Sequence, residues 1–241
     1  MTEQKYQAIV LKKQLFGEGD EIITFYTKES GKLRALAKSS KFNKSRLQHA
    51  LQTLFCINLT MAGRGGLPKI IGAEIKNIYP QIRENFEALK ISFYALELVI
   101  KFTPDEQQHE DLFLLLQDFL QFLNDHATEE VFLSLALLFF KIKFLSALGL
   151  GISDRGNSTS ASGTTFSNAA GGFLVTESSA DALPVSSLAA VLFTQLSQSQ
   201  WQDISHTDAD QQARDELHHI VSNFLCYQLE REIKSESLLG L

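Results

Sequence analysis

A chain of 241 residues with 44% hydrophobic content can bury one large core or two modest ones, and its formal net charge of −6 marks it as acidic. Two cysteines, Cys56 and Cys226, stand far apart without a CxxC companion, which argues against a disulfide framework and against a cysteine zinc site. The longest apolar run, Val131–Phe140 "VFLSLALLFF", is too short to cross a bilayer, and the chain opens without a signal-peptide pattern, so a reduced, cytoplasmic protein with no membrane contact is expected.

Up to about Tyr79 the apolar residues fall in short runs rich in β-branched and aromatic types: "YQAIVLKKQLF", "EIITFYT", "KLRALAK", "TLFCINLTM" and "PKIIGAEIKNIY". These predict five strands. The glycine-bearing turns "GEGD", "ESG" and "GRGG" lie between them. Five strands in so short a segment leave no room for crossover helices, which predicts a small closed antiparallel barrel, an OB-fold ahead of an SH3-like barrel. From Pro80 the period becomes helical. Ile82, Phe86, Leu89, Phe93, Leu96 and Ile100 form one stripe, ending near Thr103-Pro104, and Leu112, Leu115, Phe119 and Phe122 form a second. A third helix is expected from an N-cap at Thr128 to a terminating Gly149, with the apolar run buried inside it. Between Gly151 and Ala180, Gly, Ser and Thr make up 16 of 30 residues, a flexible excursion in which only Phe166 and "GGFLV" can pack, as a short hairpin. Residues 185–198 and about 208–235 supply two more helices, the last with Leu217, Ile220, Phe224, Tyr227 and Ile233 or their neighbours inward. The fold class is α+β: an N-terminal five-stranded OB-fold barrel over residues 1–80, then a larger α-helical domain over 81–241 interrupted by the loop at 151–180.

Charge divides the chain at the same place. Residues 1–80 hold 13 Lys+Arg and 6 Asp+Glu, a net of +7, and the remainder holds 9 against 22, a net of −13. Within "GKLRALAKSSKFNKSRL" (Gly31–Leu47), Lys32, Arg34, Lys38, Lys41, Lys44 and Arg46 occur without an acid among them. Strand alternation puts Leu33, Ala35 and Ala37 on one face and Arg34, Leu36 and Lys38 on the other. The run then continues past the strand, with Phe42 between Lys41 and Lys44, a pattern that joins phosphate-neutralising charge to an aromatic face on which an unpaired base can stack. Loop lysines are ordinarily solvated surface, and Phe42 serves equally as a core residue of a helical turn. An uninterrupted basic run between barrel strands of an acidic chain favours the binding reading.

Catalytic patterns find little support. "GEGD" and "GRGG" lack the spacing and following helix of a phosphate-binding loop, and adjacent His218 and His219 point about 100° apart on a helix, unlike an i,i+4 metal pair.

The stretch "IVLKKQLFGEGDEIITFYTKESGKLRALAKSSKFNKSRL" (Ile9–Leu47), followed by "GRGGLPKIIGAEI" (Gly63–Ile75), "FLSALGLGI" (Phe144–Ile152) and "LEREIKS" (Leu229–Ser235), resembles the RecO family of bacterial DNA repair and recombination mediators. The resemblance implies an N-terminal OB-fold, a helical C-terminal domain and a non-enzymatic role. It further implies binding of single- and double-stranded DNA, annealing of complementary strands coated by the single-strand-binding protein, and loading of RecA with RecR, often with RecF, in the bacterial cytoplasm at the nucleoid. Carried over, the DNA contact falls on Arg34, Lys38, Lys41, Lys44 and Arg46, with Phe42 between them and Arg64 of "GRGG" as a further candidate. Lys141 and Lys143, flanking the apolar run, are candidates for receiving the acidic, hydrophobic C-terminal tail of the single-strand-binding protein. Many relatives carry a four-cysteine zinc insertion where this chain has Gly151–Ala180, a segment with no cysteine or histidine, so no metal or other cofactor is expected. The alternative is a non-catalytic adaptor whose barrel binds RNA or a protein.

Overall fold

A computed structural model of the protein describes residues 3–38, 46–63, 66–154, 164–174, 179–230 and 233–239. The chain forms two compact units, Met1–Glu84 with Ser92–Asn124, and Asn85–Ile91 with Asp125–Leu241.

In the first unit five strands, β1 (Glu3–Phe16), β2 (Asp20–Thr27), β3 (Gly31–Ala37), β4 (Cys56–Ala62) and β5 (Lys69–Asn77), close a ring in the order β1-β2-β3-β5-β4. β1 is long enough to pair twice, with β4 through Glu3–Ile9 and with β2 through Ala8–Phe16, while β3 meets β5 in parallel at Leu36 and Lys69. This five-stranded closure is the OB-fold and displaces the SH3-like alternative. Alternation along each strand sends Ala8, Val10, Ile23, Phe25, Ala35, Ala37, Ile57, Leu59, Met61 and Ile70 into one core. The short helix α1 (Arg46–Ala50) and the turn after it add Leu47, Leu51 and Phe55.

The gap between β3 and β5 at the start of β3 is covered by the loop that follows the helix α3 (Phe86–Phe102), itself preceded by the short α2 (Pro80–Glu84). Lys32 and Asp105 form an isolated parallel bridge there, and Glu106 N donates to Lys32 O at 2.9 Å. Covering an open strand edge in this way removes a pairing template. The following helix α4 (Glu110–Asp125) is fixed to the barrel by side-chain amides: Gln7 Nε2 donates to Gln117 Oε1 at 2.8 Å and Asn77 Nδ2 to Gln121 Oε1 at 2.9 Å.

The helical stripes differ in phase from the sequence expectation. Asn85 interrupts the first helix and accepts from Ala88 N at 2.9 Å, restarting it, so Phe86 and Phe93 are exposed while Ala88, Ile91, Ala95, Leu98 and Val99 are buried. In α4 the buried line runs through Leu112, Leu116, Phe119, Leu120 and Leu123, leaving Leu115 and Phe122 half-buried.

In the second unit α5 (Glu130–Ala147) carries the apolar run and is buried on nearly every side, from Leu133 to Leu145. Its N-cap is Glu129, not the expected Thr128; the Glu129 N–H is taken by His126 O in the preceding turn, and no side chain caps the helix. It ends as expected at Gly149, which sits at φ +75° while Leu150 N donates to Leu145 O. The Gly/Ser/Thr segment holds more structure than expected. β6 (Ser153–Asp154), β7 (Thr164–Ser167), β8 (Gly172–Leu174) and β9 (Leu183–Val185) form a sheet in the order β6-β8-β7-β9. Its centre is the expected hairpin, in which Phe166 pairs with Phe173; Val175 lies outside the described residues. Burial drives this, because Phe173 packs on Phe193 of α6 (Ser187–Gln198) at 4.7 Å and Phe166 on Phe224, at 5.7 Å between centroids. The short α7 (Trp201–Ile204) intervenes before α8 (Gln211–Leu229), which carries Phe224 and is followed by α9 (Glu236–Leu239). Leu217, Ile220 and Phe224 are buried as expected; Tyr227 is exposed, and Ile233 is buried beyond the helix end.

Candidate nucleic-acid interface

The register of the β1–β2–β3 ladder assembles a surface that no one segment displays. Lys12 pairs with Thr24, and Thr24 pairs with Arg34; in the next row Gln14 meets Ile22, and Ile22 meets Leu36. Directly paired residues share a face. Because Ile23, Phe25, Ala35 and Ala37 fill the core, these rows lie on the outside of the barrel. The exposed cations Lys12, Arg34 and Lys38 therefore flank half-buried Ile22 and Leu36, and Phe16, 54% exposed at the hairpin tip, stands in the same alternating series as Lys12 and Gln14. Glu21, on the opposite face of β2, is paired with Lys13 at 3.6 Å, so this acid does not oppose the cations.

Sequence pattern brings Arg34 and Lys38 to this face as expected. Arg46 opens α1. Lys41, Phe42, Lys44 and Arg64 lie outside the described residues. Sequence pattern does not single out Lys12 and Phe16, because they lie far from the basic run. Counting back from the Gly17–Gly19 turn aligns Lys12 with Thr24 in unbroken register, ahead of the irregularity between Val10 and Lys12.

Lys32 has a different task. Its ammonium donates to Ile100 O at 2.8 Å and to Thr103 O, and lies 3.4 Å from Asp105 Oδ1, so it binds the last carbonyls of α3 with its side chain only 12% exposed. Asp105 Oδ2 lies 3.2 Å from Arg34 Nη2.

In the second unit the candidate cations are committed internally. Lys141, expected at the surface, is fully buried on α5 and donates to Ser222 Oγ at 2.6 Å; desolvation pushes its ammonium down to about 8. It lies about two-thirds of the way along a helix that is buried on nearly every side. Lys143 donates to Ser197 O at 2.7 Å and lies over the Phe139 ring. Nearby, an open cavity of about 320 Å³ is lined by Ile91, Leu133, Leu137, His218 and others, with Glu87 and Glu130 among its residues.

His218 is also buried, with Nε2 3.1 Å from Ser134 O and 3.0 Å from Ser134 Oγ. A carbonyl can only accept, so Nε2 carries a proton and donates it to Ser134 O. Burial, with Lys141 and Arg214 nearby, holds its affinity for a second proton well below the usual imidazole value. An unfolded chain takes up that proton near pH 6.5, so the unfolded state gains protons first and stability present above pH 6.5 is lost as pH falls below it. The urea midpoint followed by Trp201, the one tryptophan of the chain, packed 4.5 Å from Phe139, is expected to be lower at pH 5.5 than at pH 7.5. The variant His218→Gln is expected to flatten that difference; an unchanged pH dependence would assign it to other groups.

Among the described residues no group of three or more His, Cys, Asp or Glu could hold a metal ion, and no helix is long and apolar enough to cross a membrane.

Residues 1–79 match the family model "Recombination protein O N terminal" and residues 83–237 match "Recombination protein O C terminal". The chain belongs to the RecO family. Among similar proteins, the DNA repair protein RecO of Geobacter metallireducens is 35% identical over 153 residues, covering 64% of this chain and 61% of that protein. The namesake proteins of Thermodesulfovibrio yellowstonii and Geobacter sulfurreducens are 34% and 31% identical, over 59% and 61% of this chain and 56% and 59% of theirs. The matched region thus spans 56–61% of the length of these curated relatives. The matched N-terminal segment contains the five-stranded barrel and carries Lys12, Arg34 and Lys38.

Proposed function

We propose that the protein is a non-catalytic DNA repair and recombination mediator that holds single- and double-stranded DNA on the outer face of β1–β2–β3 and anneals complementary strands. The observation that carries this is the cross-strand row Lys12–Thr24–Arg34, extended by Lys38 and bordered by exposed Phe16. Cations in this arrangement neutralise phosphates by releasing counterions, and apolar or aromatic surface between them stacks on unpaired bases. Neither contact reads base edges, so binding is tight at low salt and tolerant of sequence. Such a surface suits a protein that presents strands to one another and makes or breaks no bond.

As partners we propose RecR and the single-strand-binding protein, whose coat on the strands is the natural substrate for annealing, with RecA loading as the outcome. Lys141 cannot receive the acidic tail from its buried position, and an acidic ligand on Lys143 would compete with Ser197 O.

The test is annealing of complementary oligonucleotides precoated with the cognate single-strand-binding protein, with oligonucleotide affinity measured across salt. Acceleration of annealing is expected, with log affinity falling against log salt at a slope of roughly −4 if six cations each hold one phosphate of a single strand. A protein inert in both measurements would be an adaptor instead.

A further inference from the structure

Arg34 is the best-placed cation of the proposed face, yet it already holds an anion. Asp105 Oδ2 lies 3.2 Å from Arg34 Nη2, while Oδ1 lies 3.4 Å from Lys32 Nζ. A carboxylate bridging two cations on a basic surface has the charge and the oxygen spacing of a phosphate at the same place.

The carboxylate is presented by a held loop. The backbone at Lys32 and Asp105 forms a bridge, Glu106 N donates to Lys32 O at 2.9 Å, and Gln107 O lies so near Gly31 that a Cβ there would come within 1.8 Å of it. Glu106 adopts φ +62°, a left-handed conformation that a glutamate keeps only when its surroundings impose it. Lys32 is saturated by two carbonyls and the carboxylate, and with its side chain 12% exposed it serves as the fixed anchor. Arg34, 59% exposed, is the partner free to move.

We propose that Asp105 is an internal phosphate mimic that occupies Arg34 in the free protein and is displaced by a nucleic-acid phosphate on binding, so that this one carboxylate limits the affinity of the interface and lowers its salt dependence. The proposal rests on the nucleic-acid reading of the β1–β2–β3 face. Exposed pairs of this kind hold their partners only a few-fold over the open state, weak enough for a polyanion to displace and strong enough to tax every binding event.

The experiment compares wild type, Asp105→Asn, Arg34→Ala and the double variant for binding to a fluorescent oligodeoxythymidine at several salt concentrations. Asp105→Asn is expected to bind roughly two- to fivefold tighter at low salt, because Arg34 no longer gives up a carboxylate partner, and to show a steeper salt slope, because no freed carboxylate takes up a counterion on binding. In the Arg34→Ala background the same substitution is expected to change nothing, because the cation it releases is gone. Unchanged or weaker binding by Asp105→Asn, or an equal gain without Arg34, overturns the proposal. Wild type that shows no salt-sensitive binding at all overturns the reading of the face instead. Asp105→Ser, a second neutralising variant checked by thermal unfolding, carries the same expectation should the asparagine disturb the loop.

Discussion

Replacing Arg34, Lys38, Lys41 and Lys44 together by glutamate is expected to abolish salt-sensitive binding of single strands and, with it, annealing. Each cation that meets one phosphate contributes about 0.7 to the salt slope on a single strand, so losing four removes roughly 3 from the slope, and the four new anions add repulsion. At about 100 mM salt the expected loss is on the order of a thousandfold or more. The fold should survive, since Arg34 and Lys38 point outward from β3 while their neighbours Ala35 and Ala37 fill the core. Far-UV circular dichroism and the thermal midpoint therefore serve as controls. Unaltered affinity and slope in a folded variant would move the nucleic-acid contact off this face.

Gly31→Ala is expected to destabilise the barrel unit strongly. Gly31 sits at φ +66°, a left-handed conformation that costs an alanine about 1 kcal/mol or more. The added Cβ would also meet Gln107 O at 1.8 Å, and both atoms belong to backbone that cannot swing aside. Together these predict a loss of roughly 3–5 kcal/mol. Gly17 separates the two costs: its φ of +67° is nearly the same, but a Cβ there meets nothing within 4 Å. Gly17→Ala should therefore cost only about 1 kcal/mol. Urea unfolding followed by far-UV circular dichroism compares them, and equal midpoints would show that the loop yields to the methyl group. Because that loop carries Asp105, Gly31→Ala is also expected to loosen the Asp105–Arg34 contact.

The strands were readable because their residues must obey two constraints at once. Runs such as "EIITFYT" are β-branched and aromatic by propensity, and glycines mark the reversals between them, so Gly17 and Gly31 do fall where the chain turns with positive φ. Helical phase was less readable. Apolar residues are so dense in "FEALKISFYALELVIKF" that several stripes fit, and the choice fell to the break at Asn85, which exposes Phe86 and Phe93. Composition misled at Gly151–Ala180, where Ser and Gly suggested an open loop while Phe166 and Phe173 had aromatic partners waiting on α6 and α8.

Sequence by itself determined the five strands, the helical period after Pro80, the charge asymmetry and the outward direction of Arg34 and Lys38. All of these follow from local rules of alternation, turn chemistry and charge counting. Tertiary structure alone decided the closing order of the strands, the row that joins Lys12 to Arg34, the burial of Lys141 and the placing of Asp105 against the basic face. Each of these depends on contacts between residues distant in the chain. Which of many chemically similar partners meets a given side chain is settled by register and packing, and neither is written in the identity of neighbouring residues.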